Sequence, residues 1–154
     1  MIMRYLLYLG LVCLISCKAQ RSIGEAMEGL ELLERDGYSG YVDFEGRAIR
    51  DQKALESFYS QINRTRKPGL PVPEVDFERE MVLLVILGEQ AGEKTVTLST
   101  IEETALEVTL IVEIGEDPAA YQDSGPGARP ILQPFYLYKM PLIDKRVNFL
   151  KLDP

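Results

Sequence analysis

The 154-residue sequence predicts an α+β domain dominated by antiparallel β-strands, with one main helix at residues 51–62. A run of seven apolar residues, 81–87, is too short to span a membrane and predicts a strand covered on both faces. An apolar stripe at helical spacing precedes it, and apolar residues at every second position of 106–114 follow it. A two-sheet sandwich is the alternative arrangement of the same strands.

The N-terminus has the pattern of a processed bacterial leader. Arg4 precedes a short apolar stretch that ends Leu-Ile-Ser-Cys at residues 14–17, which resembles a lipobox. The resemblance implies that residues 1–16 are a signal peptide and that Cys17 carries a diacylglycerol. Lys18 rather than Asp follows the cysteine, so an outer-membrane destination is expected. A plain secretory peptide or an uncleaved anchor is the alternative.

Charge and residue usage exclude several kinds of site. The net charge is -7 and would become −8 without residues 1–16, so neither nucleic acid nor anionic lipid is expected as the main partner. Lipid on Cys17 is the expected link to the membrane. Because the chain has no histidine, Ser-His-Asp and Cys-His catalysis cannot occur. With Cys13 in the leader and Cys17 lipidated, no disulfide remains.

Residues 17–29 are polar and small and are interpreted as a tether, so that a single domain spans 30–154. Residues 30–35 are too few to decide between strand and helix. Asp-Gly at 36–37 and Glu-Gly at 45–46 predict turns.

Asp51 is a predicted N-cap for the main helix. Its apolar stripe is interpreted as core rather than as a ligand platform; it comprises Ala54, Leu55, Phe58, Tyr59 and Ile62.

The connector to the central strand is extended. Three basic residues lie within 63–67, interpreted as a solvated helix end, and prolines at 68, 71 and 73 follow. Asp76 is predicted to accept hydrogen bonds from the backbone of residues 77–80 rather than to be catalytic.

Later strands follow from alternation and turns. Residues 89–94 predict a polar turn. Residues 95–99 and 106–114 predict an antiparallel hairpin, with Leu106 and Val108 among the inward side chains. Residues 134–140 predict a further strand, and 147–150 predict one that closes the sheet.

The segment 115–133 is rich in glycine and proline and is long for a connection inside a domain. Such connections are usually functional or disordered. It is therefore the candidate partner-binding loop, with Asp117, Tyr121 and Arg129 as its candidate contact residues. Asp117 and Asp123 with neighbouring carbonyls could supply oxygen ligands for calcium, but their spacing matches no known calcium loop, so no metal site and no cofactor are expected.

The order of these signals resembles the PrcB family across nearly the whole domain. The residues that carry the resemblance are Pro73, Val75-Asp76-Phe77, Met81-Val82, Gly88, the glycine-rich loop, Pro134-Phe135 and Pro141. The chain departs from the family at 91–94, Ala-Gly-Glu-Lys, where a Thr-Gly-Gly-Tyr-like turn is common. The resemblance implies a secreted or lipid-anchored domain named for an accessory subunit of a cell-surface protease complex. It implies no catalytic residues, and it favours a strand at 30–35.

Three functions remain. The favoured one is a non-catalytic, membrane-tethered interaction domain whose partner is an unknown envelope protein, with a protease as a candidate. The second is a protease-inhibitor-like module that presents residues 115–133. The third is a carboxylate-dependent hydrolase, for which Asp43 and Glu45 share strand parity.

Overall fold

The computed structural model describes residues 27, 29–117 and 129–152. Helix α1 (Gln52–Ile62) continues into a 3-10 turn at Asn63–Thr65. The strands are β1 (Glu31–Asp36), β2 (Glu45–Ile49), β3 (Glu80–Ile86), β4 (Gln90–Ala91), β5 (Lys94–Glu103), β6 (Glu107–Glu116), β7 (Ile131–Leu132), β8 (Phe135–Pro141) and β9 (Arg146–Leu152). The protein is therefore strand-rich with one helix in the described residues, as the predicted α+β class requires.

The apolar run forms β3, which lies inside a four-stranded antiparallel sheet ordered β1-β8-β3-β2. Successive side chains of a strand point to opposite faces. Met81, Leu83 and Val85 accordingly enter one hydrophobic cluster, whereas Val82, Leu84 and Ile86 enter another. All are fully buried, which confirms that the strand is covered on both faces.

Helix α1 covers the second face of this sheet. Asp51 caps it as predicted, since its carboxylate accepts a hydrogen bond of 2.8 Å from the Ala54 amide. The apolar stripe packs on β3 and β8, and Phe58 meets Phe135 edge to face with ring centroids 5.2 Å apart. Its aromatic residues therefore belong to the core.

A second sheet of three strands, ordered β5-β6-β9, covers the other face. Strands β5 and β6 form the predicted antiparallel hairpin, with Leu98, Leu110 and Val112 in the shared core. Strand β9 pairs with β6 in parallel. The two sheets packed on one core form the sandwich arrangement, with α1 outside it.

Two expectations about local structure were wrong. Glu45-Gly46 lies inside β2 rather than in a turn. A glycine is needed there because a β-carbon would overlap the Phe149 side chain of β9, which packs on the Gly46 backbone. Leu106 is 80% exposed in the β5–β6 turn rather than inward, because the strand begins one residue later.

Two tyrosines of β8 join the sheets. The hydroxyl of Tyr136 donates to the Lys94 carbonyl, and that of Tyr138 donates to the Val96 carbonyl at 3.2 Å. Both acceptors belong to β5, which has β6 as its only described strand neighbour. The phenols thus satisfy carbonyls along an otherwise unpaired strand edge.

Candidate partner-binding surface

Strand register places several chain segments at one end of the sandwich. The end of β3 and the end of β1 both meet the start of β8, through the pairs Ile86–Phe135 and Asp36–Phe135. The start of β5 meets the end of β6 at Lys94–Glu116. We call this the loop end; it comprises residues 35–39, 89–94, 116–117 and 129–134 together with Arg66.

The small ribbon of β4 and β7 forms the middle of the loop end. Gln90 pairs with Leu132, and Ala91 pairs with Ile131. The ribbon extends to a third segment, because the Ser39 amide donates to the Gln133 carbonyl at 2.7 Å. Segment 89–94 was predicted to be a simple polar turn, and strands of only two residues give no alternation by which β4 and β7 could be predicted.

Both ends of the candidate loop are fixed to one turn. The Asp117 amide donates to the Glu93 carbonyl at 3.3 Å, and the Gly92 amide donates to the Pro130 carbonyl at 2.8 Å. Gly92 adopts φ 76°, a conformation that favours glycine, so this turn depends on that residue. The chain between Asp117 and Arg129 therefore leaves and returns at the loop end.

Ion pairs add to these backbone bonds. Arg35 Nη1 lies 3.6 Å from a carboxylate oxygen of Asp117. Glu116 is contacted by Lys94 Nζ at 2.6 Å and by Arg129 Nη1 at 3.2 Å. Two of the predicted contact residues, Asp117 and Arg129, are thus brought to the same end of the molecule. The third, Tyr121, lies outside the described residues.

A second set of interactions holds the neighbouring segment 36–38. The guanidinium of Arg66 donates to both carboxylate oxygens of Asp36 and to the Tyr38 carbonyl. The Tyr38 amide donates to Asp36 Oδ1 at 2.8 Å, and the Arg66 guanidinium lies 5.8 Å from the centre of the Tyr38 ring. Arg66 is therefore part of a packed ion pair, and not the solvated helix end that its basic neighbourhood suggested.

The paired charges stabilise each other's ionised forms. The hydrogen bond from Arg66, against the opposing effect of burial, holds the pKa of Asp36 below its ordinary value. The same bond raises the pKa of Arg66. Arg66 Nε is buried without a hydrogen-bond partner in the described structure, so the pair is held by the two Nη groups.

Two adjoining hollows lie on the loop end and share Asp36, Gly37 and Leu132. The first has a volume of about 660 Å³, and its rim includes Tyr38 and Ile131. The second has a volume of about 380 Å³, with Lys94 and Tyr136 among its lining residues. Burial is the chief cause that raises the pKa of Tyr136, so its hydroxyl stays protonated. We call the two hollows together the groove.

Other carboxylates considered from the sequence lie elsewhere. Asp76 accepts hydrogen bonds from the amides of Glu78, through its side chain, and of Arg79 and Glu80, through its carbonyl, as predicted. Glu45 lies on β2, where its carboxylate is 2.5 Å from Arg47 Nη2. Asp43 is exposed in the segment before that strand.

Within residues 27, 29–117 and 129–152, no three carboxylate or other metal-binding side chains are grouped closely enough to hold a metal ion. The same ranges contain no helix long and apolar enough to cross a bilayer. The predicted lipidation site, Cys17, and Asp123 lie outside the described residues.

The candidate loop was predicted from the sequence, whereas the groove beside it was not. Asp36 and Arg66 are thirty positions apart. The sequence predicts a turn at Asp-Gly 36–37 and shows a basic stretch at 63–67, yet no spacing rule links the two. One sequence signal could have pointed to the groove: both segments lie next to the end of a strand or helix, and binding residues are often located in such loops.

Comparison with known proteins adds no family. No protein-family model matches the chain, and no curated protein or solved structure matches it significantly. Membership of the PrcB family therefore stays a prediction from the residues quoted above.

Proposed function

We propose that this protein is a lipid-anchored, non-catalytic interaction domain of the bacterial envelope that binds a partner protein with its loop end. The resemblance to the PrcB family suggests an accessory subunit of a cell-surface protease complex, which makes a protease the first partner to test. Lipid on Cys17 would hold the chain at the membrane, and the outer membrane is the expected location.

One observation carries the proposal. The two ends of the candidate loop are hydrogen-bonded to adjacent residues of one turn, Gly92 and Glu93. Three ion pairs, those of Asp117 with Arg35 and of Glu116 with Lys94 and Arg129, lie around the same two stems. A long connection whose stems are held by a rigid scaffold is a common way to present binding residues.

The anchor is tested by fractionating cells that express the full chain or Cys17→Ala. We expect the wild type in the membrane fraction and the variant in the soluble fraction, because the acyl chains are lost with the thiol. Release by high salt or continued membrane association of Cys17→Ala would contradict the lipid anchor.

The binding surface is tested by crosslinking intact cells and capturing the tagged full chain. A variant in which residues 118–128 are replaced by a glycine-serine segment of equal length should lose most of its captured partner. The matched control replaces residues 104–106, the turn at the other end of the β5–β6 hairpin. Equal capture by all three proteins would contradict binding through the loop end.

The second candidate is a protease-inhibitor-like module. It is favoured by the same fixed stems, because inhibitors present a constrained loop to the protease cleft. The two functions differ in outcome: an inhibitor slows substrate cleavage by its captured protease, whereas an accessory subunit leaves cleavage unchanged or raises it. A cleavage assay with and without the purified full chain distinguishes them.

A further inference from the structure

The groove on the loop end offers a surface whose chemistry points to one kind of occupant. Its rim has two exposed apolar side chains, Ile131 with 65% and Tyr38 with 46% of their surface accessible. Binding sites are concave and commonly combine apolar side chains with a few polar groups, and this hollow has both.

The charges in the first hollow are not balanced. Asp36 and Arg66 neutralise each other as an ion pair. Glu89 lines the same hollow, is exposed, and is contacted by the neutral amide of Gln133 at 3.5 Å; it has no cation partner among the described residues. The hollow therefore combines an apolar rim with one uncompensated carboxylate. That combination is complementary to a lysine or arginine next to an apolar residue.

The mode of binding is also restricted. Within the three-segment ribbon, the Ser39 amide and the Gly37 carbonyl bond to Gln133, which leaves the backbone groups of Tyr38 on the other side. These groups are already bonded to Asp36 and Arg66. The backbone of Tyr38 therefore offers no unbonded N–H for an added strand, which favours recognition by side chains at this position.

We propose that the groove binds a segment of the partner protein in which a lysine or arginine pairs with Glu89 and a neighbouring apolar side chain contacts Tyr38 and Ile131. This inference rests on the proposed function, since it names the segment that the loop end recognises. The acidic charge of the chain as a whole favours approach of such a basic segment.

The test uses the full chain in its own envelope, with the photo-crosslinker p-benzoylphenylalanine in place of Ile131. A second chain carries it in place of Leu106, which is even more exposed than Ile131 but lies at the far end of the β5–β6 hairpin. Crosslinked partner peptides are identified by mass spectrometry. We expect a crosslink from position 131 to a segment with a lysine or arginine beside an aliphatic or aromatic residue, and none from position 106.

The role of the Glu89 charge is tested in the chain that carries the photo-crosslinker at position 131. Glu89→Gln should lower the crosslink yield from position 131 roughly threefold, the effect of one exposed ion pair. Raised salt should lower the yield of the parent chain and have little further effect on the variant. Glu74→Gln removes the same charge before β3 instead of after it and should leave the yield unchanged.

The outcomes separate this inference from the proposed function. A crosslink from position 131 to a segment without a basic residue, or a yield that Glu89→Gln does not change, overturns the inference while a partner is still captured. Partner capture that depends on residues 118–128 but gives no crosslink from position 131 also overturns it. Failure to capture any partner overturns both.

Discussion

Tyr138 links the two sheets through a hydroxyl that must stay protonated to donate its hydrogen bond. Burial, followed by the neighbouring Tyr136, raises the pKa of Tyr138 to about 12. An unfolded tyrosine titrates near pH 10. The hydroxyl therefore contributes its full stabilisation below about pH 10 and loses it as the pH rises through about 12.

We predict that Tyr138→Phe lowers the free energy of unfolding by about 1 kcal/mol near pH 8, because the Val96 carbonyl loses its donor. Near pH 11.5 the wild type should lose this advantage. Its phenol ionises in the unfolded chain but stays protonated in the folded one, which favours unfolding, and the phenylalanine variant has no such group. Urea unfolding at the two pH values measures the difference. Tyr38→Phe, at an exposed ring, is the control. A wild-type advantage that stays constant with pH would contradict the assignment.

The Asp36–Arg66 ion pair should make the stability of the fold depend on pH in the acid range. Because the folded pKa of Asp36 is lowered, the pair stabilises the fold above the ordinary aspartate pKa and ceases to do so as the pH falls through the folded value. Asp36→Asn should lower the free energy of unfolding by about 1–3 kcal/mol near pH 7, since Arg66 keeps its charge but loses its partner.

The deficit of Asp36→Asn should shrink as the pH falls below the ordinary aspartate pKa, because the unfolded wild-type carboxyl then takes up a proton more readily than the folded one. Urea unfolding near pH 7 and near pH 2.5 tests this expectation. Asp43→Asn, at an exposed position, should match the wild type at both pH values. An undiminished deficit in acid would show that the asparagine acts through packing rather than through charge.

Among the elements, β2 and β9 depend on a glycine. Gly46→Ala should destabilise the protein by about 1–3 kcal/mol, because the added methyl would overlap Phe149 and force the two strands apart. Thermal unfolding measures the loss, and adding Phe149→Val should recover part of it. Gly37→Ala is the control, since its β-carbon would lie 3.9 Å from the Leu132 methyl groups. Equal melting temperatures for the two alanine variants would contradict the close packing at Gly46.

The elements also show which patterns can be read from the sequence. Helix α1 was predicted from its apolar stripe at helical spacing, and strand β3 from an unbroken apolar run too short to span a membrane. The β5–β6 hairpin followed from alternation on both sides of a turn. Strand β2 was missed because Glu45-Gly46 is a pair typical of turns. The glycine is instead required by its contact with Phe149, which is about one hundred positions away in the sequence. The parallel pairing of β9 with β6 depends on how the chain crosses between sheets, which local pattern does not determine.

At the scale of the whole molecule, the residues that stabilise the sandwich and the residues proposed to bind a partner lie in different places. The two hydrophobic clusters hold the sheets and helix together, whereas the charged side chains of the loop end hold the stems of one long connection. The loop itself was predicted from its length and composition. The groove was not, because its residues come from four separate segments that only the folded sheets bring together.

The central claim is that a partner protein binds the loop end, and hydrogen–deuterium exchange on the captured complex tests it most directly. Compared with the free full chain, the complex should show slower exchange in peptides covering residues 89–94 and 129–133. Peptides covering residues 101–107, at the far end of the β5–β6 hairpin, should exchange as before. Protection confined to 101–107 or to helix α1, with residues 89–94 and 129–133 unchanged, would contradict the claim.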